Sequence, residues 1–209
     1  MATDIAVLTV DGSELKVFLT KAKSESFRGM PVLPGGLVGF TEEAEKAIRR
    51  ILKGVLASGD FYCEQLYAFD DPKRDPLGRV VSIGYLGLIP WSKAKVSLKE
   101  NSAWHSVKAL PRLAYDHNKI VETAVKRLVG KLAYTNIVFG LMPEEFTLTE
   151  LQAIYEAILG RGLDKRNFRK KIKALGILKK LAKKRKGEAN RPAQLYGFKD
   201  RELKVVDIL

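Results

Sequence analysis

The sequence predicts an α/β domain followed by a smaller domain of helices and one basic β-hairpin. Two observations predict these fold classes. In residues 1–132, strand-like runs alternate with amphipathic helices, which is the pattern of an α/β domain. In residues 143–209, two helical segments precede two basic strands, the element order of a winged helix-turn-helix. A chain of 209 residues is long enough to form both domains.

The first domain opens with two predicted strands in residues 4–22, joined at Asp11-Gly12 because Asp-Gly is a strong hairpin signal. A Gly-rich turn at residues 33–36 leads to a helix from about Glu42. Strands over residues 61–69 and 80–89 and a helix over residues 116–132 complete the alternation. The helix after the turn is predicted to bury a stripe of apolar residues at helical spacing: Ala44, Ala47, Ile48, Ile51, Leu52 and Val55.

The second domain carries clear helix boundaries. Thr147 with Glu150 three residues later is a capping-box signature, and Gly160 is a helix stop. Asp164 is placed to cap a second, short and basic helix. The buried positions predicted for this helix are Phe168, Ile172 and Leu175. A strand, a basic turn and a second strand that ends in Tyr196 and Phe198 follow it.

Composition excludes several classes of protein. Apolar residues make up 46% of the chain, as in ordinary globular proteins, and no apolar run has the length of a membrane span. One cysteine, Cys63, excludes an internal disulfide framework and a cysteine zinc site, and we expect it to be a small buried hydrophobe. Two histidines are too few for a histidine metal cluster. We expect no metal, no cofactor and, without a signal peptide, a cytoplasmic location.

Positive charge is concentrated in the second domain. The formal net charge of +13 divides into +8 over residues 141–209 (17 Lys and Arg against 9 Asp and Glu) and +5 over residues 1–140 (20 against 15). Residues 165–186 contain 12 basic residues and no acidic one. Apolar residues at regular intervals place this run in a folded domain, so polyanion binding is the leading interpretation.

The stretch "GGLVGFTEEAEKAIRRILKGVL" at residues 35–56 resembles the Nudix box of metal-dependent phosphohydrolases. Gly36, Glu42 and Arg50 stand where that box has its glycine, first glutamate and arginine. The other three glutamates, which hold divalent metal in Nudix hydrolases, are replaced here by Ile51, Gly54 and Val55. Because these side chains offer no oxygen ligand, the resemblance covers the fold element and not the metal site.

Further stretches make the resemblance specific: "LPGG", "YCEQLYAFDDPKRDPLGRVVSIGYLGLIP", "AYDH" and "PEEFTLTELQAIYEAILGRGLDKRNFRKKI". In this order they resemble the Nudix-related transcriptional regulators, repressors of the type that controls NAD metabolism. The resemblance implies a Nudix-like α/β/α sandwich with a mixed sheet, fused to a winged helix-turn-helix. It also implies a homodimer that joins through the Nudix-like domains and binds a palindromic DNA operator. The implied effector is nucleotide-like, typically ADP-ribose, although some relatives respond to sugars.

Five residues are candidates for effector binding. Arginine forks suit phosphates, although a loop arginine is often only a surface ion pair. Asp75 lies in the same loop as two of these arginines. His117 of "AYDH" either faces the pocket or has a capping or packing role. The candidates are Arg28, Arg74, Arg79, Gly35 and Gly36.

DNA contacts are predicted for the second helix and the hairpin of the second domain. Arg166 and Asn167 have the geometry to read base edges, whereas lysines mostly contact phosphate. A basic helix that is merely solvated is the alternative. The full set of candidates is Lys165, Arg166, Asn167, Arg169, Lys170 and Lys171 on the helix, with Lys183, Lys184, Arg185, Lys186 and Arg191 on the hairpin.

Two other functions are compatible with the sequence. One is a Nudix hydrolase that uses displaced acids, with Glu42, Glu43 and Glu45 as candidates, although acids in a first helical turn also favour the helix dipole. The other is an RNA or membrane-surface binder that uses the basic hairpin. An effector-responsive DNA-binding repressor remains the main prediction, with the effector and the direction of its effect left open.

Overall fold

The computed structural model describes residues 1–56, 61–94, 101–185, 192–206 and 208. It divides the chain into two compact units. The first unit comprises Met1–Thr9 and Leu15–Arg127, and the second comprises Val10–Glu14 and Leu128–Leu209. The domain limits predicted from the sequence, 1–132 and 143–209, stay a prediction.

The first unit is a mixed sheet with helices, as the sequence predicted. Its strands are β1 (Ala2–Asp11), β2 (Glu14–Lys21), β3 (Pro31–Val32), β4 (Gly35–Leu37), β5 (Tyr62–Phe69), β6 (Ser82–Leu88) and β7 (Ser102–Ser106). Its helices are α1 (Ala44–Val55), α2 (Trp91–Ala94) and α3 (His117–Tyr134). The strand order is β3-β2-β1-β6-β5, with β4 also pairing β1 and β7 also pairing β2.

Strand β1 is the centre of this sheet. It pairs in parallel with β6 and antiparallel with β4. Almost every residue of β1 is buried, which agrees with the apolar run at residues 5–8. Ile5 and Val7 of β1 pack with Phe18 of β2 against Ile48 and Leu52 of α1. This packing fixes α1 against one face of the sheet.

The predicted hairpin between β1 and β2 is confirmed, with Gly12 at φ +60° in its turn. Helix α1 begins at Ala44, two residues later than predicted, with Glu43 as N-cap. The predicted apolar stripe is buried at Ala47, Ile48 and Leu52, whereas Ala44, Ile51 and Val55 are half-buried. The sequence interpretation missed the short strands β3 and β4, strand β7 and helix α2.

The second unit has the element order of a winged helix-turn-helix, as predicted. It contains α4 (Leu148–Leu159), α5 (Lys165–Ala174), β8 (Leu178–Arg185) and β9 (Ala193–Phe198). Strands β8 and β9 form an antiparallel hairpin. In the part of the chain that the structure describes, no helix is both long and apolar enough to cross a membrane.

Side-chain caps define the two helices of this unit. The Thr147 hydroxyl accepts a hydrogen bond from the Glu150 backbone at 3.1 Å, and the Glu150 carboxylate accepts one from the Thr147 backbone at 2.7 Å. Gly160 ends α4 at φ +67°, and the Asp164 carboxylate caps α5 at the Asn167 backbone N–H. All of these predicted caps are confirmed.

Two side chains of α4 hold the turn between α4 and α5 by hydrogen bonds to its backbone. The Glu156 carboxylate accepts a hydrogen bond from the Leu163 backbone N–H at 2.8 Å, and Gln152 donates to the Leu163 carbonyl at 2.9 Å. Phe168 of α5 is buried and packs edge-on against Tyr155 of α4, with ring centroids 5.2 Å apart. These contacts fix the orientation of α5 relative to α4 and therefore decide which of its residues face solvent.

Two further residues that the sequence predicted to be buried, Cys63 and Leu175, are also only half-buried. Cys63 lies on β5, the last strand in the order of the sheet, where one neighbouring strand cannot cover it fully. Leu175 is the C-cap residue of α5, where the helix ends and its packing face ends with it. Burial still raises the pKa of the Cys63 thiol to about 12, so the thiol stays protonated at neutral pH.

Replacing Thr147 with alanine is expected to destabilise the second unit by about 1 kcal/mol, because the Glu150 backbone N–H loses the hydroxyl that accepts its hydrogen bond. Thermal unfolding followed by circular dichroism measures this change. Thr41→Ala is the matched control, since Thr41 is exposed and precedes α1. Equal unfolding temperatures for the two variants would contradict the role assigned to the capping box.

Candidate functional site

A cavity of about 480 Å³ lies in the first unit, among residues of β1, β2, β4, α1 and the start of α3. Gly35, Gly36 and Arg74, three of the five predicted effector residues, line it. Arg28 and Arg79 do not; both side chains are exposed to solvent. Arg79 instead donates a hydrogen bond to the Asp70 carbonyl, which closes its own loop.

A buried cluster of charged and polar side chains adjoins the cavity, and its members Asp4, Arg74 and His117 line the floor. Arg74 is 4% exposed, and its Nε and Nη2 atoms donate to Asp116 at 3.2 and 2.9 Å. The same Nη2 atom lies 3.3 Å from the carboxylate of Asp4. Ser82 donates to Asp4 Oδ2 at 2.5 Å, and His117 Nε2 lies 3.5 Å from Asp4 Oδ1. Residues far apart in the sequence therefore form one polar network.

These contacts set the protonation of the network. Burial alone would raise the pKa of Asp4, but the proximity of His117 and the contacts with Ser82 and Arg74 hold that pKa below its ordinary value. Burial alone would lower the pKa of Arg74, but Asp116 and Asp4 hold it above its ordinary value. Asp4 is thus an anion and Arg74 a cation, and each is stabilised by the other.

Gly35 is required by the position of Asp4. Strand β4 pairs with β1 so that Gly35 lies opposite Asp4. A Cβ atom at position 35 would lie 1.8 Å from Asp4 Oδ1, so no side chain fits there without displacing the carboxylate. A Cβ atom at Gly36 would lie 3.7 Å from Ile51, an ordinary contact. Of the two glycines, Gly35 is therefore the one that steric crowding requires to be glycine.

Helix α1 contributes an apolar wall to the cavity, through Ile51 and Val55. Gly54, the third position where a Nudix box has glutamate, is exposed. A divalent metal of the Nudix type needs carboxylate oxygens at these positions, and the residues present supply none. Among the described residues, no group of three or more His, Cys, Asp and Glu side chains is arranged to hold a metal ion.

The two charged Nudix-box residues that remain, Glu42 and Arg50, form an ion pair with each other. Arg50 Nε and Nη2 donate to the two carboxylate oxygens of Glu42 at 2.8 and 2.7 Å. Arg50 also donates to the Leu37 carbonyl, and Glu42 accepts from the Gly39 backbone. The hydrogen bonds from Arg50 and Gly39 lower the pKa of Glu42 to about 2. This pair fixes the loop between β4 and α1, which is a structural role.

Tyr115 is a lining residue that the sequence interpretation missed. It has φ +56°, which is uncommon for an aromatic residue and indicates local strain. Its hydroxyl donates to Ser24 Oγ at 3.0 Å, and its ring packs against Phe27 and His117 with centroids 4.5 and 5.3 Å away. Tyr115 thus connects the start of α3 to the 3₁₀ turn at Glu25–Phe27.

A second candidate site is the exposed face of α5. Lys165, Arg166, Asn167 and Lys170, all predicted for DNA contact, are exposed, as is Lys173. None of the four cations in this set has an ion-pair partner among the described residues. Unpaired cations on one helix face make a surface that attracts polyanions.

Two other predicted residues of α5 are placed differently. Arg169 is half-buried, and its Nη2 atom donates to the Thr149 hydroxyl on α4 at 2.8 Å. Lys171 is also half-buried. Arg169 therefore fastens α5 to α4, a role that the helical spacing alone did not reveal.

The hairpin presents its cations on two faces. Lys183 pairs with Glu145 at 3.0 Å, and Arg185 pairs with Glu150 of the capping box. Because side chains alternate along a strand, Lys184 lies on the opposite face, where it is exposed. Lys186 and Arg191, the other two hairpin predictions, lie outside the described residues.

The cavity and the basic helix face define a class of protein, a Nudix-like domain joined to a winged helix. Comparison with known proteins supports this class. Residues 138–198 match the family described as the NrtR DNA-binding winged helix domain. The chain is 34% identical over 205 residues to the ADPR responsive transcriptional repressor NtrR of Acinetobacter baylyi, covering 95% of this chain and 81% of that one. The chain belongs to the NrtR family of transcriptional repressors.

Solved structures of one relative match each part of this architecture. The Shewanella oneidensis NrtR complexed with a 27mer DNA has a TM-score of 0.87 at 29% identity, covering 95% of this chain and 93% of that one. The NUDIX domain of the same protein, complexed with ADP ribose, has a TM-score of 0.52 at 28% identity, covering 61% of this chain and 86% of that one. The chain is also similar to an enzyme. The ADP-ribose pyrophosphatase of Methanocaldococcus jannaschii is 32% identical over 119 residues, 55% of this chain and 70% of that one.

Proposed function

We infer that this protein is a transcriptional repressor that binds double-stranded DNA through its winged helix and responds to ADP-ribose bound in the cavity. The observation that carries this inference is the match along 95% of the chain to an NrtR in complex with DNA. The unpaired cations of α5 and the apolar wall of the cavity agree with it. A cavity of about 480 Å³ is within the range of small-molecule sites.

For DNA recognition, we propose a division of roles on the second unit. Arg166 and Asn167 lie in the first turn of α5, are exposed, and carry side chains that form paired hydrogen bonds with base edges. Lys165 and Lys170 contact phosphates. Among the described hairpin residues, Lys184 is the most available candidate, because its two neighbours in the predicted set are already paired with acidic side chains.

We propose that the protein acts as a homodimer on a palindromic operator, since a two-fold dimer places two copies of α5 on equivalent half-sites. It acts in the cytoplasm, where a repressor meets the chromosome. NAD metabolism is the proposed field of regulation, because ADP-ribose is a product of NAD turnover.

The second candidate function is hydrolysis of ADP-ribose, which the similarity to an ADP-ribose pyrophosphatase favours. The side chains at Ile51, Gly54 and Val55 argue against it, since they supply no metal ligand. Glu42, an acid considered as a displaced ligand, is bound to Arg50. We therefore propose that the cavity binds ADP-ribose without cleaving it.

Calorimetric titration of ADP-ribose into the protein in the presence of EDTA tests the effector role. We expect saturable binding with one site per chain and recovery of intact ADP-ribose, because the cavity needs no metal to hold its ligand. Absence of binding to the folded protein would contradict the proposed effector.

On a true operator, Arg166→Ala and Asn167→Ala are each expected to weaken binding by about 1–3 kcal/mol, with little change on a scrambled duplex. Lys184→Met is expected to weaken binding to both duplexes alike and to reduce the slope of log affinity against log salt concentration by about one unit. Fluorescence titrations at several salt concentrations measure both effects, with Lys108→Ala in the first unit as control. Equal losses on operator and scrambled DNA for the α5 variants would mean that α5 does not read sequence.

A further inference from the structure

One face of the basic hairpin is neutralised by acidic residues from another part of the second unit. Lys183 Nζ lies 3.0 Å from the Glu145 carboxylate, and Arg185 pairs with the Glu150 carboxylate. Arg185 also donates to the Glu145 backbone carbonyl at 3.4 Å. Residues 165–186 contain no acid of their own, so these counter-charges come from the start of α4 and the segment before it.

Backbone contacts fix the segment that carries Glu145 beside the hairpin. The Phe146 N–H donates to the Tyr196 carbonyl at 2.9 Å, and the Tyr196 N–H donates to the Phe146 carbonyl at 2.7 Å. The Phe146 side chain is fully buried. A Cβ atom at Gly197 would lie 2.8 Å from the Glu144 carbonyl oxygen, so this segment and β9 are in close contact. Glu145 is therefore held at the hairpin by its own neighbours.

Glu150 is fixed by the capping box of α4. One of its carboxylate oxygens accepts from the Thr147 backbone N–H at 2.7 Å, and the other accepts from Arg185. Burial would raise the pKa of Glu150, but the contacts with Thr147 and Arg185 hold that pKa below its ordinary value. Glu150 is thus an anion at neutral pH. Both acids are preorganised partners for the hairpin cations, unlike the members of a flexible surface pair.

Paired cations change how the hairpin interacts with DNA. Affinity for DNA of random sequence comes almost entirely from contacts between cations and phosphates. A phosphate binds Lys183 or Arg185 only by displacing a carboxylate that is already in place. On an operator, base contacts of α5 fix one register, whereas on random DNA many registers are occupied and every free cation adds to the affinity. Removing cations from this competition therefore weakens random binding more than operator binding.

We propose that two acids, Glu145 and Glu150, determine DNA specificity by withholding the paired hairpin cations from the phosphates of random DNA. This inference rests on the proposed function and adds acidic residues to a surface for which net charge alone would indicate only cations. One face of the hairpin, with Lys184, is free to contact DNA. The other face is occupied by carboxylates that take the place of phosphate in the free protein.

Glu145→Gln tests this role without disturbing the capping box. We expect the variant to bind a scrambled duplex at least about threefold more tightly than wild type at about 50 mM salt, because one further cation contacts phosphate. The slope of log affinity against log salt concentration is expected to steepen by about one unit per chain. Operator affinity is expected to rise by a smaller factor, so the ratio of operator to scrambled affinity falls. Fluorescence titrations at several salt concentrations measure these changes.

Glu144→Gln is the matched control. It removes the same charge from the adjacent position, where the side chain is exposed and has no ion pair among the described residues. We expect it to leave both affinities nearly unchanged. Lys183→Met added to Glu145→Gln is expected to return the scrambled-duplex affinity to the wild-type value, whereas Lys183→Met alone has little effect. This double-mutant cycle assigns the gain to the one ion pair.

Three results would overturn the proposal. Equal gains for Glu145→Gln and Glu144→Gln would mean that net charge alone limits binding, and no gain for either would mean that the ion pair does not compete with DNA. Weaker binding of both duplexes by Glu145→Gln would mean that Glu145 positions the hairpin for DNA. Operator binding by the wild-type protein would leave the proposed function intact in all three cases, whereas a wild-type protein that binds no duplex would contradict that function.

Discussion

Arg74→Ala is expected to lower the free energy of unfolding by about 3–5 kcal/mol, because it leaves two buried carboxylates without their cation. Asp4 and Asp116 are each paired with Arg74, and the side chains in these ion pairs are less than a tenth exposed. An arginine that merely gripped an effector phosphate would be replaceable without such a loss. Arg74 therefore organises the floor of the cavity as well as lining it.

Urea unfolding measures this effect, and Arg79→Ala is the matched control. Arg79 lies in the same loop and is exposed, so its replacement is expected to change stability by no more than about 0.5 kcal/mol. Arg74→Lys is expected to have an intermediate stability, because lysine keeps the positive charge but cannot form the paired hydrogen bonds that Arg74 donates to Asp116. An unfolding midpoint for Arg74→Ala equal to that of Arg79→Ala would show that the buried network is not a stabilising unit.

The second large effect concerns catalysis. With magnesium or manganese, the protein is expected to hydrolyse ADP-ribose far below ordinary enzyme rates, which are roughly 1 s⁻¹ or more. The reason is that α1 presents Ile51 and Val55 to the cavity where metal-binding carboxylates would be needed. Chromatography of the reaction mixture for AMP and ribose 5-phosphate is the measurement.

The control for this assay is the variant Ile51→Glu/Gly54→Glu/Val55→Glu, which restores three carboxylates to α1. Two of these positions are half-buried and line the cavity, so the new carboxylates would alter its apolar wall as well as its charge. Metal-dependent turnover by the wild-type protein at about 1 s⁻¹ would show that the cavity supports hydrolysis without these three carboxylates, whatever the variant does.

The sequence predicted those features that depend on neighbouring residues. The hairpin at Gly12 and the caps at Thr147, Gly160 and Asp164 follow from backbone preferences within a few positions, and the structure confirms each of them. The order of helices and strands in the second unit was predictable for the same reason. The helical period of α5 also predicted that Arg166, Asn167 and Lys170 are exposed.

What could not be predicted depends on contacts between distant residues. Asp4 and Arg74 are separated by 70 positions, so nothing local revealed that this arginine is buried beside a carboxylate. The pairing of Arg185 with Glu150, 35 positions away, was hidden in the same way and changes which hairpin cations are available. Strand β7 was missed because its pairing with β2 is set by tertiary structure.

The central claim is that one chain couples ADP-ribose binding to operator binding. Selection from a pool of random duplexes provides the operator sequence without prior assumptions about the regulated genes. Affinity for that operator is then measured with and without saturating ADP-ribose, and ADP-ribose affinity is measured with and without the operator.

We predict that saturating ADP-ribose changes operator affinity by a factor of about 5–150, the usual range of allosteric coupling, and that the operator changes ADP-ribose affinity by the same factor. Reciprocal and equal changes would establish the coupling. An operator affinity that is identical with and without bound ADP-ribose would contradict the claim that this protein is an ADP-ribose-responsive repressor.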